Sequence, residues 1–275
     1  MSEPQVVFDQ LSCVSLFLQT KCHGQLLGRA ATGFVVVNGA QHYLITNWHV
    51  LAGRHPATSK PLSDTAGLPD ELVVLYHRTV VQGGQHLTGW CAVNEPLNDA
   101  AGNPRWLEHP TGRKVDVAAV PVTANSEEVK FNPLSLDLAN TNLFAGVGEP
   151  VSIIGYPFGL TGGALLPIWK TGHIASEPDV DYEDLPVFLV DATTREGMSG
   201  SPVVRRFGGF GYRNRAGFEM IGSTTMSAGH SGLTRFMGVY ASRLDPDTAE
   251  IGMVWKPRTI DEILAAGKIR REDEH

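Results

Sequence analysis

Ser199 lies in Gly197-Met198-Ser199-Gly200-Ser201-Pro202, a serine set between glycines and followed by the β-branched pair Val203 and Val204. A serine hydroxyl is a weak nucleophile until the backbone presents it and a base takes its proton. Flanking glycines let the chain turn sharply at Ser199 and leave backbone N–H groups free to face an oxyanion forming beside the hydroxyl. Two upstream residues complete that chemistry. His49, in Thr46-Asn47-Trp48-His49-Val50, is a candidate base, and Asp116, in Lys114-Val115-Asp116-Val117-Ala118-Ala119-Val120, is a candidate to orient it. Singly, each is ordinary: the chain holds 10 histidines, an aspartate beside a valine run ends many strands, and Ser-Gly-Ser-Pro is a common turn. Together they carry an order. His, then Asp, then Ser is the order of one of three serine-hydrolase architectures, the others running Ser, Asp, His and Asp, His, Ser.

The elements that must hold these residues read as short antiparallel strands. Alternating or β-branched runs fall at 12–19, 33–38, 42–46, 71–77 and 115–122, then at 151–155, 168–175, 186–190, 202–206, 218–224, 236–243 and 250–256. Gly, Pro, Asn and Asp clusters bound them, a barrel or sandwich signature. The long irregular stretches 53–70, 94–113, 207–216 and 226–234 are expected as functional or mobile loops. A polar, irregular segment near 123–134 is the expected crossover between two halves. One helix is expected near the C-terminus, where Thr259 and Glu262 stand at capping-box spacing before Ile263, Leu264, Ala265 and Ala266, with Gly267 as the stop.

Composition narrows the partners. The chain of 275 residues is 42% hydrophobic and 19% charged, with a formal net charge of −7. That balance argues against a nucleic-acid partner, which needs clustered Lys and Arg. Lys268, Arg270 and Arg271 are offset by Glu272, Asp273 and Glu274, a pattern expected of a solvated tail. Cys13, Cys22 and Cys91 are too few for a disulfide framework and are expected as reduced thiols, although Cys13 and Cys22 could face each other across an N-terminal hairpin. Cys22-His23 has no partner pair at ligand spacing, so neither a metal nor another cofactor is expected. The start, Met-Ser-Glu-Pro-Gln, lacks the features of a secretory signal, and no run reaches membrane-spanning length. The expectation is a cytoplasmic protein with no membrane partner.

A group of segments then lines up in register from about residue 30 to 245: Thr32-Gly33-Phe34, Thr46-Asn47-Trp48-His49-Val50, Asp116-Val117-Ala118, Ile154-Gly155-Tyr156-Pro157-Phe158-Gly159, Thr171-Gly172-His173-Ile174-Ala175-Ser176, and Asp191-Ala192 ahead of Gly197-Met198-Ser199-Gly200. These resemble trypsin-like serine peptidases of the HtrA type. The resemblance implies an all-β fold of two six-stranded antiparallel β-barrels, 1–126 carrying His49 and Asp116 and 127–275 carrying Ser199 and the closing helix, together one peptidase domain. It implies a protein or peptide substrate, with Ser199 as nucleophile, His49 as base and acid, Asp116 as the group that fixes the imidazole, and Gly197 and Ser199 as oxyanion donors. It further implies a substrate pocket walled by Thr193 and Thr194 on one side and Tyr240, Ala241, Ser242 and Arg243 on another, with Gly252 opposite. Thr193 falls where an aspartate would select Lys or Arg, which argues against that preference; Arg243 either favours an acidic side chain or plugs the entrance.

Departures from the pattern carry expectations of their own. Relatives usually hold Asn at Met198 and Gly at Ser201, and append a PDZ domain that is not expected here. A methionine has no charge to pair with a new N-terminal ammonium, so Met198 is expected to pack as an apolar anchor and activity is expected without N-terminal cleavage. Three readings follow: a serine endopeptidase, a latent or non-catalytic barrel that binds peptides or proteins, and an esterase using the same triad.

Overall fold

The computed structural model describes residues 8–82, 85–207, 211–214, 217–220, 233–245 and 249–269. The first half folds into strands β1 (Ser15–Cys22), β2 (Gln25–Asn38), β3 (Gln41–Thr46), β4 (Glu71–Gln82), β5 (Gln85–Pro96), β6 (Leu107–Glu108) and β7 (Ala118–Pro121), with the short helix α1 (Trp48–Ala52) after β3. The second half holds β8 (Pro150–Gly155), β9 (Ile168–Ile174), β10 (Val187–Asp191), β11 (Pro202–Phe207), the hairpin of β12 (Gly211–Asn214) and β13 (Gly217–Met220), β14 (Leu233–Asp245) and β15 (Ala249–Trp255), then helix α2 (Arg258–Ala266) and β16 (Lys268–Ile269). The segment near 123–134 bears no strand and leads from β7 towards β8, as a crossover must. The second half of the expected strands at 218–224 and most of the stretch 226–234 lie outside the described residues.

Strands β10-β15-β14-β11-β8-β9 close into a six-stranded barrel, the form expected of the second half. The seven strands of the first half and β16 from the C-terminal end join in one eight-stranded sheet, in the order β16-β6-β7-β3-β2-β1-β4-β5. Period-two alternation puts Leu16, Leu18 and Thr20 of β1 on the buried side, where Leu18, Leu44, Leu72 and Val74 form one core with Trp48 and Leu51 of α1. A second core fills the barrel with Ile153, Phe188, Val190, Met198, Val203 and Val254. A third core fuses the two units. Phe34, Ile45, Val117 and Ala119 of the sheet pack there against Ile154, Val204, Phe236 and Trp255 of the barrel and against Ile260 and Ile263 of α2. Phe34 and Phe236 meet edge to face at 5.7 Å, the geometry that sets a positive ring edge on a negative face. Each fully buried side chain of this size contributes about 1.5–3 kcal/mol relative to exposure.

Several local expectations are corrected. Strand β5 was hidden in the text because its inward face, Cys91, Val93 and Glu95, includes a buried carboxylate while Trp90 and Ala92 stand on the other face, so residue type does not follow the alternation of burial. Cys13 and Cys22 flank opposite ends of β1 and cannot face across a hairpin; all three cysteines are free. The capping box does not form. Pro257 is the N-cap, Thr259 lies inside α2 and donates to the Lys256 carbonyl at 2.8 Å, and Glu262 bonds His109 Nε2 at 2.8 Å. A proline at the cap has no side-chain acceptor, so tertiary contacts place this helix start. Lys268 is exposed, as expected of a solvated tail, although its backbone pairs with Glu108 as β16 returns to the first sheet. Among the described residues no helix is long and apolar enough to cross a membrane.

His77 of β4 is buried, tilted against the Trp90 ring with centroids 3.9 Å apart. Burial, assisted by the nearby Lys130 charge, lowers its pKa to about 4. The unfolded chain therefore binds a proton that the folded chain refuses between about pH 6.5 and 4, so stability is complete above that window and falls as pH drops through it. The expected loss is on the order of 3 kcal/mol. Urea unfolding at pH 7 and pH 4 should show it, and His77→Phe should flatten the difference.

Candidate active site

The chain leaves β3 at Thr46, passes through extended Asn47, and enters α1, which carries His49 on its first turn. Gly53 closes that helix in the left-handed region (φ 63°) and donates its N–H to the His49 carbonyl at 2.9 Å. Asp116 sits between a 3₁₀ turn at Gly112–Lys114 and β7. Its Oδ2 lies 2.7 Å from His49 Nδ1, and its Oδ1 accepts the His49 backbone N–H at 2.9 Å. Asn47 Nδ2 donates to the Asp116 carbonyl at 2.6 Å and so fixes the segment from the other side. A carboxylate only accepts, so in the neutral ring the imidazole proton sits on Nδ1 and Nε2 keeps its lone pair. The side chains are 16% and 9% exposed, which keeps the pair's attraction from being screened by water.

Carbonyls do the positioning in the serine loop. Glu196 O accepts from Phe158 N–H at 2.6 Å, Gly197 O from Thr32 Oγ1 at 2.8 Å, Met198 O from Ser201 N–H at 3.0 Å, and Ser199 O from Thr32 N–H at 2.8 Å. A planar trans peptide points its N–H opposite its C=O, so the N–H groups of Gly197 and Ser199 turn away from the partners that hold Glu196 O and Met198 O. Neither N–H donates to another described residue. Gly197 (φ +94°) and Gly200 (φ +84°) adopt left-handed backbone, and a Cβ at either would stand 2.2 Å from Tyr156 O or 2.0 Å from Thr32 O. Ser199 Oγ donates to the Ala241 carbonyl at 2.9 Å and makes no hydrogen bond to His49.

His49, Asp116, Gly197 and Ser199 line one cleft of about 880 Å³. Ala241, Ser242 and Arg243 line it too, with Leu244, Met253 and Trp255 beyond them. The other expected pocket residues do not. Thr193 is exposed outside the cleft, whereas Thr194 and Tyr240 are 1% and 2% exposed and hydrogen bonded to each other, Oγ1 to phenol. Met198 is fully buried in the barrel core, the place expected of an apolar anchor. Thr32 and Phe158, which hold the serine loop through carbonyls, carried no signal beyond their place in quoted motifs, because a backbone acceptor leaves no mark on residue type. Loop 53–70 contributes Gly53, His55, Pro56, Ala57, Leu62 and Ser63 to the cleft wall. Away from the cleft, Cys22, His23 and Asp70 bring donor atoms within 4.8 Å of one another. Asp70 is the neighbour that spacing did not reveal. Its Oδ2 already accepts the His23 N–H at 2.8 Å, and none of the three lines the cleft.

A closed barrel fused to an antiparallel sheet, with a His–Asp pair and a glycine-flanked serine facing one cleft, defines the trypsin-like class of β protein. The chain belongs to the trypsin-like peptidase family, whose domain profile, described as "Trypsin-like peptidase domain", matches residues 31–210. No curated protein sequence matches it. Among solved structures it is similar to a scabies mite inactivated protease paralogue, at 12% identity over 94% of this chain and 98% of that one, with a TM-score of 0.50. It is also similar to the Rv3671c protease of M. tuberculosis H37Rv in an inactive form, at 18% identity over 93% and 89% of the two chains, with a TM-score of 0.45. A third is the protease Anisep from Arthrobacter nicotinovorans, at 12% identity over 92% and 95%, with a TM-score of 0.46.

The loop geometry makes Gly197→Ala costly. The added methyl meets the Tyr156 carbonyl at 2.2 Å in a backbone region that alanine resists, so stability should fall by about 2 kcal/mol or more. Thermal unfolding of the purified variant checks this.

Proposed function

We propose that the protein is a serine endopeptidase. Ser199 is the nucleophile, His49 the general base and then the acid, Asp116 the group that orients the imidazole and stabilises its cation, and the N–H groups of Gly197 and Ser199 the oxyanion donors. The observation that carries this reading is the coincidence, at one cleft, of a His49–Asp116 contact of 2.7 Å with two loop N–H groups that have no partner among the described residues. Donors not engaged by the fold are what a developing alkoxide needs, and they cost no reorganisation at the moment of attack.

Attack begins with rotation about the Ser199 Cα–Cβ bond, which moves the hydroxyl from the Ala241 carbonyl to the Nε2 lone pair of His49. As Oγ bonds to the substrate carbonyl carbon, His49 takes the proton and the carbonyl oxygen gains negative charge. Collapse expels the amine, which receives the proton from His49, and water then attacks the acyl-enzyme by the same route. The proposed unit is one peptidase domain of two halves, 1–126 and 127–275. A cleft of about 880 Å³ exceeds what a small ester needs, which favours a peptide. A latent resting state is the second reading, favoured by the Ser199 hydroxyl being held on Ala241 O.

Ser199→Ala should abolish both peptide hydrolysis and labelling by a fluorophosphonate while leaving the unfolding transition in place. Asp116→Asn should preserve the fold and lower kcat by roughly 10⁴, the loss that the same change causes in a chymotrypsin-type triad by stabilising the wrong tautomer. Steady-state kinetics on a quenched peptide, with mass-spectrometric mapping of the labelled residue, measure both. Full labelling of the alanine variant would remove Ser199 from the mechanism.

A further inference from the structure

We propose that this chain cleaves after residues with the smallest side chains, glycine, alanine and serine, because the Tyr240 ring fills the space that a larger side chain would enter. The proposal rests on the reading of Ser199 as the nucleophile and names the substrate class of that site.

Strand β14 runs directly beside the serine. Gly200 N–H donates to Tyr240 O at 2.9 Å, Tyr240 N–H to Ser201 O at 2.9 Å, and Ser199 Oγ to Ala241 O at 2.9 Å. The side chain of the residue whose carbonyl meets Ser199 is placed by the resemblance between Thr194, ahead of the serine loop, and Tyr240 to Arg243 of β14, the strand that these bonds set beside the serine. Gly252 of β15 lies between these walls, paired with Val190 on one side and Arg243 on the other. Tyr240 bridges the gap. Its hydroxyl bonds Thr194 Oγ1 on the far wall, and its ring lies over Gly252 so closely that a Cβ there would stand 2.5 Å from Tyr240 Cε2 and 3.2 Å from its oxygen.

The ring and the glycine thus depend on each other: the absent side chain at Gly252 makes the room that the tyrosine takes. Tyr240 and Thr194 are both buried and neither borders the cleft, although Ala241, Ser242 and Arg243, next on the same strand, do. Burial pushes the Tyr240 phenol up to about 12, so the hydroxyl keeps its proton and its bond to Thr194 at any working pH. Tyr240 also packs with Phe188, Val190, Met198 and Val254 in the barrel core, so swinging the ring out would open a void among close-packed side chains. An alanine methyl or a serine hydroxymethyl needs no recess, whereas each methylene too many in a filled site costs roughly 10–200-fold in kcat/KM.

The test compares peptidyl diphenyl phosphonates that carry Ala, Leu, Phe or Lys at the reacting position, on the wild-type chain, Tyr240→Ala, Tyr240→Leu and Tyr240→Phe. Labelling rates are measured, and a small fluorophosphonate reports on Ser199 independently of side-chain size. The wild type and Tyr240→Phe should react with the Ala probe at least 100-fold faster than with the Phe probe, while Tyr240→Ala should lose or reverse that ratio. Tyr240→Leu, which keeps an apolar filler in the core, should move the ratio towards Leu and guards against a variant that fails to fold. Equal rates for Ala and Phe probes on the wild type, or an unchanged ratio in a folded Tyr240→Ala or Tyr240→Leu, would overturn the proposal while leaving the nucleophile in place. Absence of any fluorophosphonate on wild-type Ser199 would sink the catalytic reading and take this proposal with it.

Discussion

The serine loop and the His49–Asp116 pair grow from different β units, and Thr32 is the residue through which one is fastened to the other. Its N–H holds the Ser199 carbonyl, its hydroxyl holds the Gly197 carbonyl, and its own carbonyl accepts the Thr46 hydroxyl two residues before α1. Thr32, Thr46 and Gly197 are buried and Ser199 is half-buried. Each such bond contributes only about 0.5–1.5 kcal/mol net, but a buried group left without its partner costs about 1–3 kcal/mol. The contact is therefore expensive to lose, and a displacement of β2 against the barrel moves the serine relative to the imidazole. The Phe34–Phe236 packing and the Ser15 hydroxyl on Ile154 O stiffen the same seam.

On that seam the loop's shape is dictated by acceptors rather than donors. Carbonyls from Glu196 to Ser199 are all taken by backbone or hydroxyl donors, and among the described residues the N–H groups of Gly197 and Ser199 have no partner. The two left-handed glycines and the positive φ of Phe158 are the conformational cost of this arrangement. Burying Met198 offsets part of it, since an apolar side chain anchors the loop in the barrel core without any charge that would need a partner.

The His49 side of the cleft is built the opposite way, with polar contacts crowded onto one carboxylate. Both Asp116 oxygens accept, one from the backbone N–H and one facing the ring of the same histidine, so ring orientation and chain position are coupled. Asn47 secures the Asp116 backbone from beneath. The loop after α1, joined to the helix by left-handed Gly53, walls the cleft, and Pro69 leaves no room for a side chain at that glycine.

Much of the fold was legible in the text because strands buried on one face alternate with period two, and the runs at 33–38, 42–46, 151–155 and 202–206 fall within β2, β3, β8 and β11. The types and order of His49, Asp116 and Ser199 were legible as well, since that chemistry demands particular side chains and glycines around them. Strand β5 was not, because its inward face carries Glu95, a carboxylate that is buried only because Tyr76, Thr123 and Ala124 donate to it from elsewhere in the chain. Nor was the start of α2, where Pro257 caps and tertiary packing overrides the capping pattern of Thr259 and Glu262. The state of the pocket was hidden most deeply. Tyr240, Thr194 and Gly252 sit on separate strands and segments, and whether a ring between them lines a recess or fills it depends on distances of a few ångströms across the barrel. Residue types established by themselves which groups are present to do chemistry. Only the closed barrel decided which space beside them is open, because packing is a property of neighbours that the chain brings together from far apart.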